Sequence, residues 1–377
     1  MAILTEVGSL TLNAGENIGA SCVLDTVNNN LYVACSTSNV KLVKIAADAL
    51  TRTGVINLTA PGQNDASEID SANQIAYIGS GVAPNAATVH KISLATFQEI
   101  ASGDLIGVNP LGSDIDLQNG LLYIGSNDTI DPDPAKWGGR FSAIATSTFS
   151  ISKQFTNTTG VSTSIKSISG DFLNGLLYAA VSAGTDHLIW KVNSSTLEKI
   201  SSIAADGATN AIVVDPINGM LYTANGGSQL ITKINLNNFT LIDTVLLGNG
   251  SDIGKNCMVI DTCLNYLYVK SVGTPAWIHS IDLSTFEINW NLQLSSGGNS
   301  TAQGLAIDAT RRFLYTSGSE TPAKVLKIAL LACPAEAEPV IAVTAGAEAE
   351  EEGSIKRKRE KKLMPITRHR KGILWRY

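Results

Sequence analysis

Asp128, Asp131 and Asp133 are the carboxylates whose type and spacing come closest to a hard-cation site, and oxygen donors so placed suit Ca²⁺. The pattern is not that of an EF-hand loop, which needs Gly at its sixth position and Glu at its twelfth. The plainer reading of residues 127–140 is a solvated acidic loop stiffened by Pro132 and Pro134. No cofactor is therefore expected, Ca²⁺ being the one ion the residues suggest. In the same stretch Trp137, between Lys136 and Gly138-Gly139, is the candidate surface-contact residue.

A second group stands at the far end of the chain. Residues 353–377 hold ten Lys or Arg and one Glu, residues 335–352 hold six Glu and no base, and residues 1–334 carry a net charge of −9. Lys356, Arg357, Lys358, Arg359, Lys361, Lys362, Arg368, Arg370 and Lys371 form a docking arm for a polyanion or an acidic protein surface. Trp375 and Tyr377 end it like an anchor. A solubilising tail is the competing reading. A nuclear-import signal also matches the basic run, as such runs often do by chance.

Between these two groups the chain is repetitive. An Asp is followed seven residues later by a Tyr at Asp25/Tyr32, Asp70/Tyr77, Asp116/Tyr123, Asp171/Tyr178, Asp215/Tyr222, Asp261/Tyr268 and Asp308/Tyr315. The tyrosines are 45, 46, 55, 44, 46 and 47 residues apart, so one supersecondary unit is used seven times. The fifth unit shows its parts. Ile212–Val214 reads as a buried strand, Asp215-Pro216-Ile217-Asn218 as a type I turn with Gly219 left-handed, and Met220–Ala224, Leu230–Leu236 and Thr240–Leu247 as three more strands. Four antiparallel strands in about 45 residues, repeated, predict an all-β, seven-bladed β-propeller. An Asn lies three residues after the Asp in five units. Leu264 and Arg311 replace it in the last two, whose turns must close differently. Seven copies of the Asp and Tyr make them turn formers and packing spacers rather than seven active sites.

The seventh unit lacks a fourth strand after Leu331, while a spare strand, Ile3–Leu12, precedes the first unit. Placing it as the outer strand of blade seven closes the ring and removes two sheet edges. The expected organisation is a propeller over 1–334, an Ala/Glu linker over 335–352 and the arm over 353–377. The motif Asp-x-x-Asn-Gly-x-Leu-Tyr, followed after a polar break by [Val/Ile]-x-Lys-[Ile/Val], is similar to the YVTN-type seven-bladed propellers, nearest at Leu221-Tyr222-Thr223-Ala224-Asn225. The resemblance covers roughly residues 1–333 and speaks for architecture. The functions it implies range from surface-layer and binding proteins to relatives of lactonases and quinoprotein dehydrogenases.

A propeller carries function in the loops at one face. Those loops hold Asn, Ser, Thr and Gly with scattered charges, namely Glu16, Asp65, Lys166, Asp206, Asp252 and Lys255. His90, His187 and His279 fall on or beside third strands instead, so a haem, copper or His-dependent hydrolase site has little residue support. Asp65 and Asp252 remain able to meet across the pore. The reading that follows is a non-enzymatic interaction or structural module tethered by its basic arm to a large assembly, such as a virion or phage particle. A carbohydrate or protein ligand on the loop face fits that reading. The alternative is a lactonase-like or carbohydrate-binding hydrolase acting at the pore. The N-terminus reads without signal-peptide features and no apolar run has membrane-spanning length, which predicts a cytoplasmic or particle-assembled protein. Five cysteines show no metal-like spacing. If Asp25 faces Tyr32 across the first hairpin, Cys22 faces Cys35. A bridge there is geometrically conceivable, but two free, buried thiols are the preferred reading.

Overall fold

A computed structural model describes residues 4–333 apart from 37–38, 60–61, 63–64, 82–85, 106, 129–137, 159–162, 249–251 and 296–303. The described strands pair into seven antiparallel sheets of four. Each sheet starts at an inner strand that ends on a repeat Asp: Gly19–Asp25, Ser67–Asp70, Val108–Asp116, Thr163–Asp171, Ala208–Asp215, Asp252–Asp261 and Leu305–Asp308. Each inner strand touches the next and the last touches the first, so the sheets are the blades of a closed seven-bladed propeller. The N-terminal strand Leu4–Thr11 pairs antiparallel with Lys324–Leu330, Leu4 opposite Leu330 and Thr11 opposite Lys324. It is the outer strand of blade seven, as the missing fourth strand required.

The repeat Asp builds the inner hairpin. Asp25 Oδ1 accepts the backbone N–H groups of Val27 and Asn28, and its Oδ2 accepts Asn28 Nδ2 at 2.7 Å. The same Asn-to-Asp bond recurs in blades two to five, from Asn73, Asn119, Asn174 and Asn218. The next residue is left-handed in all seven turns, including Gly219 (φ 65°) but also Arg312 (φ 65°). Blades six and seven, which lack the Asn, use arginine. Arg312 Nη1 and Nη2 donate to Asp261 at 2.9 and 2.6 Å, and Arg311 Nη1 donates to Asp308 at 3.0 Å.

One expected register is corrected. The turn spans four residues, so Asp25 lies opposite Asn30 and Tyr32 opposite Val23. Cys22 then faces Val33, and Cys35 faces Gly19 across a bulge. Both are free buried thiols. The bridge present is Cys263–Cys333.

The core is layered between blades, each apolar cluster filling one seam. The buried tyrosine of one blade packs on a phenylalanine in the outer turn of the next: Tyr32 on Phe97, Tyr77 on Phe149, Tyr178 on Phe239 and Tyr222 on Phe286, with ring centroids 5.8–6.2 Å apart. The repeated Lys lies opposite the Tyr on the third strand and reaches the same turn. Lys91 Nζ donates to Thr146 O at 2.6 Å, Lys233 to Leu283 O at 3.2 Å and Lys327 to Asp48 O at 2.9 Å. The repeated Asp, Tyr and Lys are thus hairpin and seam parts. Burial takes each of these tyrosine hydroxyls well above its ordinary pKa. No helix among the described residues is long and apolar enough to cross a membrane.

Candidate functional site

Two places bring reactive residue types together. The first is inside blade two. Ser80 Oγ lies 2.7 Å from His90 Nε2, and His90 Nδ1 lies 2.8 Å from Glu99 Oε1. The types and order are those of a nucleophile, its base and an orienting acid. Ser80 and His90 are nevertheless fully buried, so no acyl carbon reaches the hydroxyl. Blade six repeats the arrangement with an amide in the third place: His279 Nε2 is 3.3 Å from Ser271 Oγ and Nδ1 is 2.7 Å from Asn291 Oδ1. Burial pushes His279 down to about 4, with the Asn291 bond opposing. Both sets tie the second, third and fourth strands of one blade together. They leave a trace in the sequence, a Ser three residues after the repeat Tyr with a His on the following strand.

The second place is the channel. The residue five before each of the first six repeat Asp occupies equivalent positions around the ring: Ala20, Asp65, Leu111, Lys166, Asn210 and Asn256. Strand pairing skips it in blades one, three, four and five, and skips a longer stretch, 254–257, in blade six. Such bulges re-aim side chains. From blade six, Lys255 Nζ donates to Asp65 Oδ2 of blade two at 2.5 Å. Asn256 Nδ2 donates to Asp65 O at 2.7 Å and Leu111 O at 3.3 Å, and its Oδ1 accepts Ser167 Oγ of blade four at 3.1 Å. Blades six and two are not neighbours, so these bonds cross the ring and bridge this end of the channel. Asp65 and Asp252 do not meet. Asp65 takes Lys255, whereas Asp252 Oδ1 accepts the N–H groups of Gly227 and Ile253.

Further along the wall, Glu68 and Asp114 stand half-buried on the inner strands of blades two and three. Ser113 Oγ donates to Glu68 Oε1 at 2.8 Å, and Gly170 N to Asp114 Oδ2 at 2.6 Å. Burial first, then the Asp114 charge, push Glu68 up to about 8. Burial likewise raises Asp114, against the Gly170 and Ile115 N–H bonds. Two carboxylates so placed hold a proton readily.

Of the remaining loop charges, Glu16 is buried and paired with Arg52, and Asp206 accepts Thr232 Oγ1 at 3.4 Å. Asp128 ends a strand opposite Gly138. Asp131, Asp133, Trp137 and all the arm residues from Lys356 to Tyr377 lie outside the described residues. Among the described residues no group of three or more His, Cys, Asp or Glu is placed to hold a metal ion. The channel bridge was not foreseen; its one trace is the polar run Lys255-Asn256 just before the sixth inner strand's apolar residues. No protein-family model matches the chain, and no curated protein matches it.

Proposed function

We propose that the protein is a non-enzymatic propeller module tethered to a larger assembly, such as a virus particle, through its basic C-terminal arm. A propeller is a rigid scaffold suited to interaction or structural roles. What supports tethering is the way the exit from the propeller is pinned. Cys333 is bonded to Cys263 in the inner turn of blade six. Beside it Arg312 Nε donates to Leu331 O at 2.7 Å while its two terminal nitrogens hold Asp261 of the same turn. A pull on the chain beyond Cys333 is delivered to blade six and does not peel Lys324–Leu330 from the closing strand Leu4–Thr11.

The test is truncation after Glu352, with heparin as a polyanion probe. The shortened protein is expected to melt like the full chain and to elute from heparin at much lower salt. The full chain's affinity is expected to fall steeply with salt, as for Lys and Arg contacts to a polyanion. Trp375→Ala and Tyr377→Ala are expected to weaken capture by the assembly with less effect on heparin. Unchanged heparin elution after truncation, or unfolding of the propeller, overturns the reading.

A further inference from the structure

Among the described residues of the bridged channel, one lysine is left without a hydrogen bond or ion pair. Lys166 is the bulge residue of the fourth inner strand, skipped in the pairing between Ile165 and Ser167, and its side chain is half-buried. Its Nζ has no hydrogen-bond or ion-pair partner among the described residues. Lys166 and Lys255 each adjoin the Ser167–Asn256 hydrogen bond of 3.1 Å, and the Lys255 charge acts on Lys166. Lys255 is committed to one carboxylate, Asp65, which is 2 % exposed. Asp252 also faces Lys166 electrostatically, but one of its oxygens is occupied by two backbone N–H groups. Burial, then Lys255, push the Lys166 pKa down, with Asp252 pulling the other way. A lysine strained in this manner gains most from an added negative charge.

We infer that the bridged end of the channel is an oxyanion site, in which Lys166 and Lys255 hold the carboxylate or phosphate group of a small ligand. The remainder of the ring supplies the floor. Asn256, next to Lys255, is fixed on three blades, and Asn210 Nδ2 ties the same segment down at Ile253 O, 2.8 Å away. Asp65 is the internal competitor: its carboxylate occupies the place on Lys255 that a ligand oxygen would take. Every residue named for this site belongs to the propeller.

The competitor gives the experiment two signs. Citrate and inorganic phosphate are titrated into the full-length protein, against sodium chloride at equal ionic strength, with the melting temperature and the calorimetric affinity as readouts. Either anion, at about a hundred times its Kd, is expected to raise the melting temperature by a few degrees beyond the chloride control. A response to both assigns oxyanions in general, and a response to one assigns its geometry. Lys166→Met is expected to lose the shift and Lys166→Arg to keep it. Asp65→Asn is expected to tighten binding severalfold, because Lys255 is released. A purely structural role for these residues would lower stability in both variants without moving the affinity in opposite directions. The inference is overturned if neither anion exceeds the chloride control, or if Lys166→Met keeps the full shift, which would place anion binding on the arm.

Discussion

Along the inner strands from blade two to blade five, neighbours are joined by short side chains. Ser113 donates to Glu68, Gly170 N to Asp114, Ile212 N to Ser167 and Val214 N to Ser169. From blade six round to blade one, beyond the repeated lysine bond that Lys91 and Lys233 also make, the joints are long cations and sulfur. Lys270 Nζ reaches Ser317 O, Arg312 holds Asp261, Arg311 reaches Thr26 O, and Cys263 is bonded to Cys333. In the first arc the chain passes directly from each blade to the next, so short contacts suffice. In the second the chain also passes directly from blade six to blade seven, and only the contacts of blade seven with the closing strand and with blade one join opposite ends of the sequence, so the loop-closure entropy falls there. The long cations and the disulfide stand at that closure and beside it.

The sharpest way to break this comparison is to remove the closing strand. Deleting residues 1–12 strips Lys324–Leu330 of its partner and removes the buried Leu4 and Leu12. The expected result is loss of a single cooperative transition in calorimetry, with aggregation through the exposed edge. Ser113→Ala in the stitched arc is expected to leave the transition intact and costs about 1 kcal/mol. If both variants melt alike, the closure seam is not special.

Arginine separates the two arcs more finely. Arg312→Ala leaves the Asp261 carboxylate, whose side chain is 0 % exposed, without its charge partner. Breaking a buried pair in this way costs about 3–5 kcal/mol, measurable by urea denaturation. Arg311 is 35 % exposed at its side chain and shares the same kind of turn. Its partner Asp308 is 0 % exposed as well, but it is held by one nitrogen of a partly exposed guanidinium, so the loss of Arg311 is expected to cost less than that of Arg312. Equal costs would mean that the turn, rather than the clamp onto blade six, sets the effect.

The stitched arc has its own signature in pH. Glu68 and Asp114 are raised in the folded protein, so between their unfolded values and about 8 the folded state binds more protons than the unfolded one. Stability from this pair is therefore present at low pH and lost as pH rises towards 8. His279, pushed down to about 4 from 6.5, has the opposite slope, but only below 6.5. Above 6.5 His279 no longer opposes the acid pair. Unfolding free energy is expected to fall from pH 6.5 to pH 8, and Glu68→Gln is expected to flatten that fall. A variant that keeps the full slope would show that the pair is not its source.

The propeller, its blade count and its closure by the first strand were legible because period and strand alternation are local properties that repeat. Asp, Asn and Gly at fixed offsets told the turns, and Leu264 and Arg311 told where the turns change. Contacts between distant blades were not legible. Lys255 and Asp65 are 190 residues apart, and nothing in either neighbourhood announces the other. The Cys263–Cys333 pair was missed for the same reason. The Cys22–Cys35 geometry failed because the Asp–Tyr spacing was taken as a facing pair, when the tyrosine lies opposite the second residue before the aspartate. The phenylalanines of the outer turns recur in four blades, yet their partners sit one blade away.

That phenylalanine series offers the finest test of the closure seam. Phe97, Phe149, Phe239 and Phe286 share one left-handed position in the outer turn, with φ between 51° and 56°. Blade one has Leu50 there, at φ 46°, facing blade seven. A cavity of about 430 Å³ opens at that place, lined by Val7, Gly8, Leu50, Phe313 and Lys327 among others. At this seam the ring beside Tyr315 is Phe313 of its own strand, 6.3 Å away. Leu50→Phe carries a side chain that four sister turns accept, and Gly8, which has no Cβ, leaves room opposite it. It is expected to fill part of the cavity against Tyr315 and raise stability by about 0.5–1 kcal/mol, the scale of one aromatic pair. Calorimetry reads the gain as a higher melting temperature. Leu197→Phe in blade four is the control, since Phe172 already stacks on Tyr123 there at 5.7 Å. That site has no vacancy, so the same substitution is expected to give nothing or to destabilise by overpacking. A gain at Leu197 with none at Leu50 would mean that seam packing does not limit closure, and that the cations and the disulfide alone hold the ring shut.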